Sequence, residues 1–417
     1  MVSYNPQVPY NTTAHDYTSD LPYDGFSPAP GDGNSPWKIE LAIDLAANGV
    51  GDFFTLDDPV KGVLDNATYL LAGDVLVDIT GWVRDLDIKR GRSRVLEKFT
   101  AGSCRVTLDN RERLFDPLMT ASPFYGSIIP RKQIVISNNN IPVYQGNVQD
   151  WDFSYNVNGD ATASPSSSDG FAFFAQSNLA PGTATSQLSG ARVGSVLDEL
   201  AWPDGQRDIA TGLATLAADV VDDTQNALTY LQKVETTENG AMFIGKNGKF
   251  TFRDASLPVY SGVEFGDNGI PFIDYQVAYG VEELWNKVNI VWSAGTAVGG
   301  TVTVDDTVSQ GKYGVFEVTY DTLLNGSSPA LALGSAIMDA YSEPKYRIDQ
   351  ITVLMEALTS EQRVNILSLE LADAVLVSWQ SFGPAITQYC IIDGIEHKAD
   401  TSRHTVTFTL SETTIVS

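Results

Sequence analysis

Cys104-Arg105-Val106-Thr107-Leu108 places an apolar residue at every second position with polar ones between. A period of two marks a strand with one face buried and the other in water. Working outward, Trp151, Phe153 and Tyr155 alternate with Asp150, Asp152 and Ser154. Far downstream, Val288, Ile290 and Trp292 alternate with Lys287, Asn289 and Val291, and Val406, Phe408 and Leu410 with Thr405, Thr407 and Thr409. Gly81, Gly91, Gly102, Gly126 and Gly146 punctuate the first set at turn positions. Short antiparallel strands with regular turns predict a barrel or a sandwich.

Between these sets the period changes. Val193, Val196, Leu197 and Leu200 follow helical spacing, and so do Ala227, Tyr230, Leu231 and Val234. Asp222-Asp223-Thr224 suits the start of the second helix and Asn239-Gly240 its end. Ala241-Met242-Phe243-Ile244 and Phe250-Thr251-Phe252 flank Asn247-Gly248, a strong hairpin signal. One later helix is expected, with Ser328 as its cap, Pro329 at its first position and Pro344 as its stop. The fold class expected is mainly β (β-rich α+β): two antiparallel β-barrel-like domains, a small α/β domain between them, and an extended N-terminal arm. Residues 1–36 form the arm, 37–160 the first β domain, 161–255 a linker and the α/β unit, and 256–417 the second β domain. Residues 156–190, centred on Ser164-Pro165-Ser166-Ser167-Ser168, read as a polar link.

The arm is rich in Tyr, Pro, Asn and Asp and has no periodicity. Such a segment cannot bury enough surface to fold alone, so it is expected to lie on another subunit. With 417 residues and 43% hydrophobic content, the remainder has ample material for several cores. Acidic residues outnumber basic ones 52 to 26, a net charge of −26 that argues against sequence-independent nucleic-acid binding. Cys104 and Cys390 each sit in an apolar run without metal-ligand spacing and read as buried free thiols. No early apolar stretch with a basic flank suggests secretion, and no apolar run is long enough to insert in a membrane.

The search for catalytic chemistry finds little. His15, His397 and His404 are the histidines, and His397 reads as a surface or turn residue. Neither HExxH nor GxSxG occurs. Gly240 to Asn247 comes one residue short of a phosphate-binding loop, but a helix precedes it, a hairpin follows, and Asn247 replaces the required hydroxyl. Asp57-Asp58, Asp222-Asp223 and Asp305-Asp306 lack the alternation of a calcium loop. Trp82, Trp151 and Trp292 fall in strand patterns and read as core or interface. No catalytic, cofactor-binding or metal residue is expected, and no enzyme activity. The cluster Lys89-Arg90-Gly91-Arg92-Ser93-Arg94 stands out against the acidic background. It suits either a solvated turn or a subunit boundary, since guanidinium forks pair with carboxylates.

Several motifs together carry a family resemblance. They are Phe54-Thr55-Leu56-Asp57-Asp58-Pro59-Val60-Lys61-Gly62-Val63-Leu64-Asp65, Asp78-Ile79-Thr80, Arg90-Gly91-Arg92-Ser93-Arg94, Ala101-Gly102, Leu108 to Pro117, and Ile129-Pro130-Arg131. This set resembles the minor tail proteins of long-tailed (siphovirus-type) phages infecting actinobacteria. Glu238-Asn239-Gly240, Arg253-Asp254, Asn286-Lys287-Val288 and Asp393-Gly394-Ile395-Glu396-His397 are similar to baseplate hub proteins. The likeness covers about residues 37–412. It implies a structural virion protein of the tail tip, a homotrimeric ring in which two related barrels per subunit mimic six-fold symmetry. Implied partners are further copies of the chain, the distal tail protein, the tape measure protein and a central fibre, with phage DNA passing at ejection without specific binding. Appended lysins or fibres found on many hub-like proteins are not expected here, since the sequence ends soon after the second barrel. Interface candidates are Arg90, Arg92, Arg94, Arg111, Arg113 and Arg131. Other readings are a distal-tail adaptor or receptor-binding minor tail subunit, a secreted carbohydrate-binding or adhesive protein, and a glycosidase.

Overall fold

The computed structural model describes residues 36–44, 74–94, 97–380 and 386–415. The arm, apart from Pro36, and the motif Phe54 to Asp65 lie outside these. Seven strands come first: β1 (Trp37–Asp44), β2 (Asp74–Asp78), β3 (Val83–Gly91), β4 (Thr100–Asp109), β5 (Gln133–Asn138), β6 (Ile141–Tyr155) and β7 (Ala161–Ser168). In β4 the alternation is realised: Cys104, Val106 and Leu108 are buried, while Ser103 and Arg105 are exposed. The long loop between β4 and β5 folds on itself, with Phe115 and Phe124 stacked at 5.2 Å and Trp82 edge-on to both. Asn110 starts it, its side-chain oxygen accepting the Phe115 N–H at 3.0 Å.

The stretch read as a polar link is instead strand β7, bonded between β4 and β6. Serine hid it. Ser167 is buried, and its hydroxyl lies 3.2 Å from the Tyr144 hydroxyl and 3.3 Å from the Cys104 carbonyl. Satisfied hydroxyls let a polar sequence occupy a sheet interior. Pro165 is tolerated because the β4–β7 pairing skips from Arg105–Ser166 to Leu108–Ala163.

Three helices and short strands follow: α1 (Phe171–Gln176), β8 (Gly182–Ala184), β9 (Gln187–Leu188), α2 (Ser189–Glu199), β10 (Arg207–Ile209), β11 (Thr215–Leu216), β12 (Asp219–Val221) and α3 (Ala227–Glu238). The cap of α3 is Asn226, which accepts the Thr229 N–H; Asp222 instead closes a turn on Thr224. Asn239 ends the helix in the left-handed conformation, φ 57°. The expected hairpin is β13 (Ala241–Ile244) and β14 (Phe250–Arg253).

The last part comprises β15 (Tyr260–Gly266), β16 (Asp274–Tyr279), β17 (Lys287–Ala294), β18 (Ala297–Asp305), α4 (Thr307–Tyr313), β19 (Glu317–Asn325), α5 (Ser327–Tyr341), β20 (Tyr346–Leu354), α6 (Ser360–Ser368), β21 (Ala374–Trp379), β22 (Ile386–Asp400) and β23 (His404–Glu412). Helix α5 starts one residue before Ser328, after Gly326, and no side chain caps it. Its apolar stripe, Ala330, Ile337 and Met338, packs on Val288, Ile290 and Leu324 as a separate small core.

The β-rich character is as expected, and among the described residues the strand pairings form one continuous sheet without closing into two barrels. One thirteen-stranded sheet runs β16-β20-β23-β22-β3-β4-β7-β6-β5-β1-β2, with β21 joined to β22 and β15 to β21. The β3–β22 pairing fuses the two β regions, and a single large core lies along them. Gly91 makes the approach possible: its φ is +100°, and a Cβ there would sit 2.2 Å from the Asp393 carbonyl oxygen.

Candidate functional site: a charged seam and a wet sheet face

Where β3 meets β22, charged groups are buried. Arg90 is 5% exposed; its Nη2 donates to Glu370 Oε1 at 2.6 Å and to the Ile244 carbonyl at 3.0 Å. Glu370 also accepts the Lys246 backbone N–H, at 2.8 Å. The Lys246 ammonium donates to the carbonyls of Leu367 (2.7 Å), Ser368 (2.6 Å) and Leu369 (3.1 Å). It thus serves the C-terminal end of α6, where cations are favoured, while burial pulls its pKa down. So the residues that mimic a phosphate loop are a clamp between hairpin and helix. Arg92 grips Asp393 through Nε (2.8 Å) and Nη2 (2.7 Å), with its guanidinium 4.6 Å above the Phe99 ring.

The remaining candidates have partners in the same chain. Arg94 reaches Glu282 at 3.2 Å in solvent. Arg111 holds Asp109 at 2.9 Å, and Arg113 holds Asp116 at 2.6 Å. Burial pushes the Asp116 carboxyl up, but hydrogen bonds from Leu118, Arg113 and Tyr155 outweigh it and leave the pKa lowered. Arg131 bonds Gln176 at 2.7 Å. Arg90 and Arg92 therefore brace the fold. Their partners were not both legible: Asp393 stands in a quoted motif, whereas Glu370 gave no signal.

His397 is not a surface residue. It and His404 are each 6% exposed, with rings stacked at 5.5 Å, and His397 Nδ1 lies 3.2 Å from His404 Nε2. Trp37 packs on His404 at 4.8 Å. Burial lowers the pKa of both, that of His404 to about 3, so the pair is neutral and structural. Strand neighbours were expected to point apart, but His404 comes from β23 across the hairpin and was missed. Both cysteines are buried and free, and burial pushes their thiols up. Asp306 caps α4, accepting from Val308 and Ser309 at 3.0 Å each. Among the described residues no group of three or more His, Cys, Asp or Glu could hold a metal, and no helix is long and apolar enough to cross a membrane.

Above the seam lies the wet face of the sheet. Asp87 and Lys89 on β3, Ser103 and Arg105 on β4, Ser166 on β7 and Glu396 on β22 line an open groove of about 650 Å³. Thr405, Thr407 and Thr409 continue the polar face along β23. It offers hydroxyls and charges of both signs.

With this geometry in view, the fold is similar to that of solved phage tail proteins. The 43 kDa tail protein of prophage MuSo2 from Shewanella oneidensis superposes with a TM-score of 0.55 at 15% identity, over 82% of this chain and 96% of that one. A tail protein from Neisseria meningitidis MC58 gives a TM-score of 0.57 at 9% identity, over 82% and 94% of the two chains. No protein-family profile matches the sequence, and no curated protein resembles it in sequence. The likeness is one of architecture.

Proposed function

We propose that this chain is a non-enzymatic structural subunit of a phage tail tip, a hub ring joining the tail tube and distal tail ring to the central fibre. The observation that carries the reading is the shared architecture with two tail proteins across most of all three chains. The buried seam favours it as well. Binding two β regions into one sheet makes a rigid block, as a load-bearing ring requires. The wet face, with its hydroxyls and charges of both signs on a subunit of net charge −26, suits a surface without the net basic footprint that holds DNA.

In this reading the protein acts as a homotrimer within the virion. Arg94, Arg111, Arg113 and Arg131, whose side chains are far more exposed than those of Arg90 and Arg92, are its boundary candidates. The distal tail protein, the tape measure protein and a fibre are its neighbours. Averaged images of purified tails labelled on this chain test it. Three copies at the tip support the hub; six copies in a ring favour a distal-tail adaptor, and peripheral copies a receptor-binding subunit.

A further inference from the structure

Glu235, in the last turn of α3, is buried at 5% exposure. Its Oε1 accepts the Met242 N–H at 3.2 Å, but its Oε2 is enclosed without any hydrogen-bond partner. A buried carboxylate oxygen with no donor is expensive, whether ionised or protonated. Glu235 also lines a cavity of about 60 Å³ between α3, the turn after β3, β19 and α5, together with Arg92, Glu97, Lys98, Asn239, Tyr320 and Ile337 among others.

The surroundings define what fits. An anion is disfavoured by the carbonyl end of α3 and, above about pH 8, by the ionised Glu235. A metal ion lacks ligands there, since no suitable cluster exists among the described residues. Arg92 cannot serve, because its nitrogens already hold Asp393 and the Glu97 carbonyl. Lys98 lines the cavity and its charge acts on Glu235, yet it makes no ion pair among the described residues. Tyr320 and Ile337 supply a wall for a carbon stem, and an aromatic face attracts an ammonium.

We propose that this cavity is a socket for a primary ammonium group, the side chain of a lysine presented by a neighbouring copy of the chain. The source of the lysine rests on the ring assembly proposed above; the chemistry of the socket does not. In the empty socket burial raises the Glu235 pKa to about 8, with Arg92 and Lys98 opposing. Seating an ammonium expels that proton, so binding strengthens from pH 6 to pH 9.

The probe is methylammonium chloride added to the full chain, against sodium chloride at equal ionic strength. A saturable rise in thermal midpoint, larger at pH 9 and lost in Glu235→Gln, is expected. Ile337→Phe, which fills the cavity with apolar atoms, should abolish the response even if Glu235→Gln folds poorly. Equal effects of the two salts overturn the socket. A response that appears only in Lys98→Ala also overturns it, because the chain's own lysine then fills the site. Carbodiimide coupling of assembled tails tests the source. A Glu235–lysine bond between two copies supports the proposal, and one to another tail protein or to none overturns the neighbouring-copy assignment while leaving the methylammonium result intact.

Discussion

Arg90 Nη2 lies 2.6 Å from Glu370 Oε1 although the two residues are 280 positions apart in the chain. Their pair, with Arg92–Asp393 beside it, stitches the first β region to the second where, among the described residues, their strands meet. These arginines therefore belong to folding before they belong to assembly.

Arg90→Ala should destabilise the isolated chain by about 3 kcal/mol, the lower part of the range for a buried pair broken from one side, because Glu370 keeps some solvent contact. Arg94→Ala, at an exposed pair, should change stability by about 0–1 kcal/mol. Urea unfolding of the two single variants checks the contrast; equal midpoints would remove the seam from the stability account.

Glu238, at the end of α3, accepts from Ser189 Oγ and from the N–H groups of Leu213, Ala214 and Ala255 at 2.6–3.1 Å. Glu238→Ala leaves four donors without an acceptor and should cost about 3 kcal/mol or more, while Ser189→Ala should cost about 1 kcal/mol. Hydrogen exchange should show early opening around residues 211–216 in the first variant, and a native pattern there would contradict the clamp.

Stability should depend on pH from both sides. His397 and His404 have folded pKa values below the usual 6.5. Below about pH 6.5 the unfolded chain takes up protons that the native histidines refuse, His404 until near pH 3, so this contribution falls as pH falls. Asp169 and Glu235 behave oppositely: burial raises them to about 7 and about 8, although two backbone donors oppose this at Asp169. Their contribution is complete below the unfolded carboxylate range of about 4 and is lost as pH rises through 7 and 8. The two effects oppose each other between about pH 4 and 6.5, so urea midpoints from pH 3 to 9 should show a loss above that window from the carboxylates and a loss below it from the histidines. His397→Asn with His404→Asn should flatten only the acid one, and Glu235→Gln should soften only the other.

Asp87→Lys and Glu396→Lys together should turn the wet face attractive to DNA while shifting stability by about 1 kcal/mol or less. The expected signature is salt-sensitive retention of duplex DNA by the variant and slowed ejection from particles that carry it. Unchanged ejection would take this face out of the DNA path.

Much of the architecture was legible because it obeys one-dimensional rules. The Cys104 alternation, the α2 and α3 stripes and the Asn247-Gly248 hairpin all appear where local periodicity and turn chemistry put them. The failures share a cause. Strand β7 was missed because its serines are paid for by Tyr144 and Cys104, partners that no window of sequence contains. The histidine pair was missed because a hairpin, not a motif, brings His404 to His397. Local pattern also could not distinguish two closed barrels from one shared sheet, since the same alternation serves either.

The joining of β3 to β22 also dictates an order of events. On a ribosome β3 emerges long before its partner, with Arg92 waiting for an aspartate 301 residues later. Until then β3 offers unpaired amides along one edge, the kind of template on which chains stick to one another. Contacts this distant in sequence form slowly. Nascent chains are thus most vulnerable just before their final strands appear, and chaperone demand, rather than native stability, is expected to set how much folded protein accumulates.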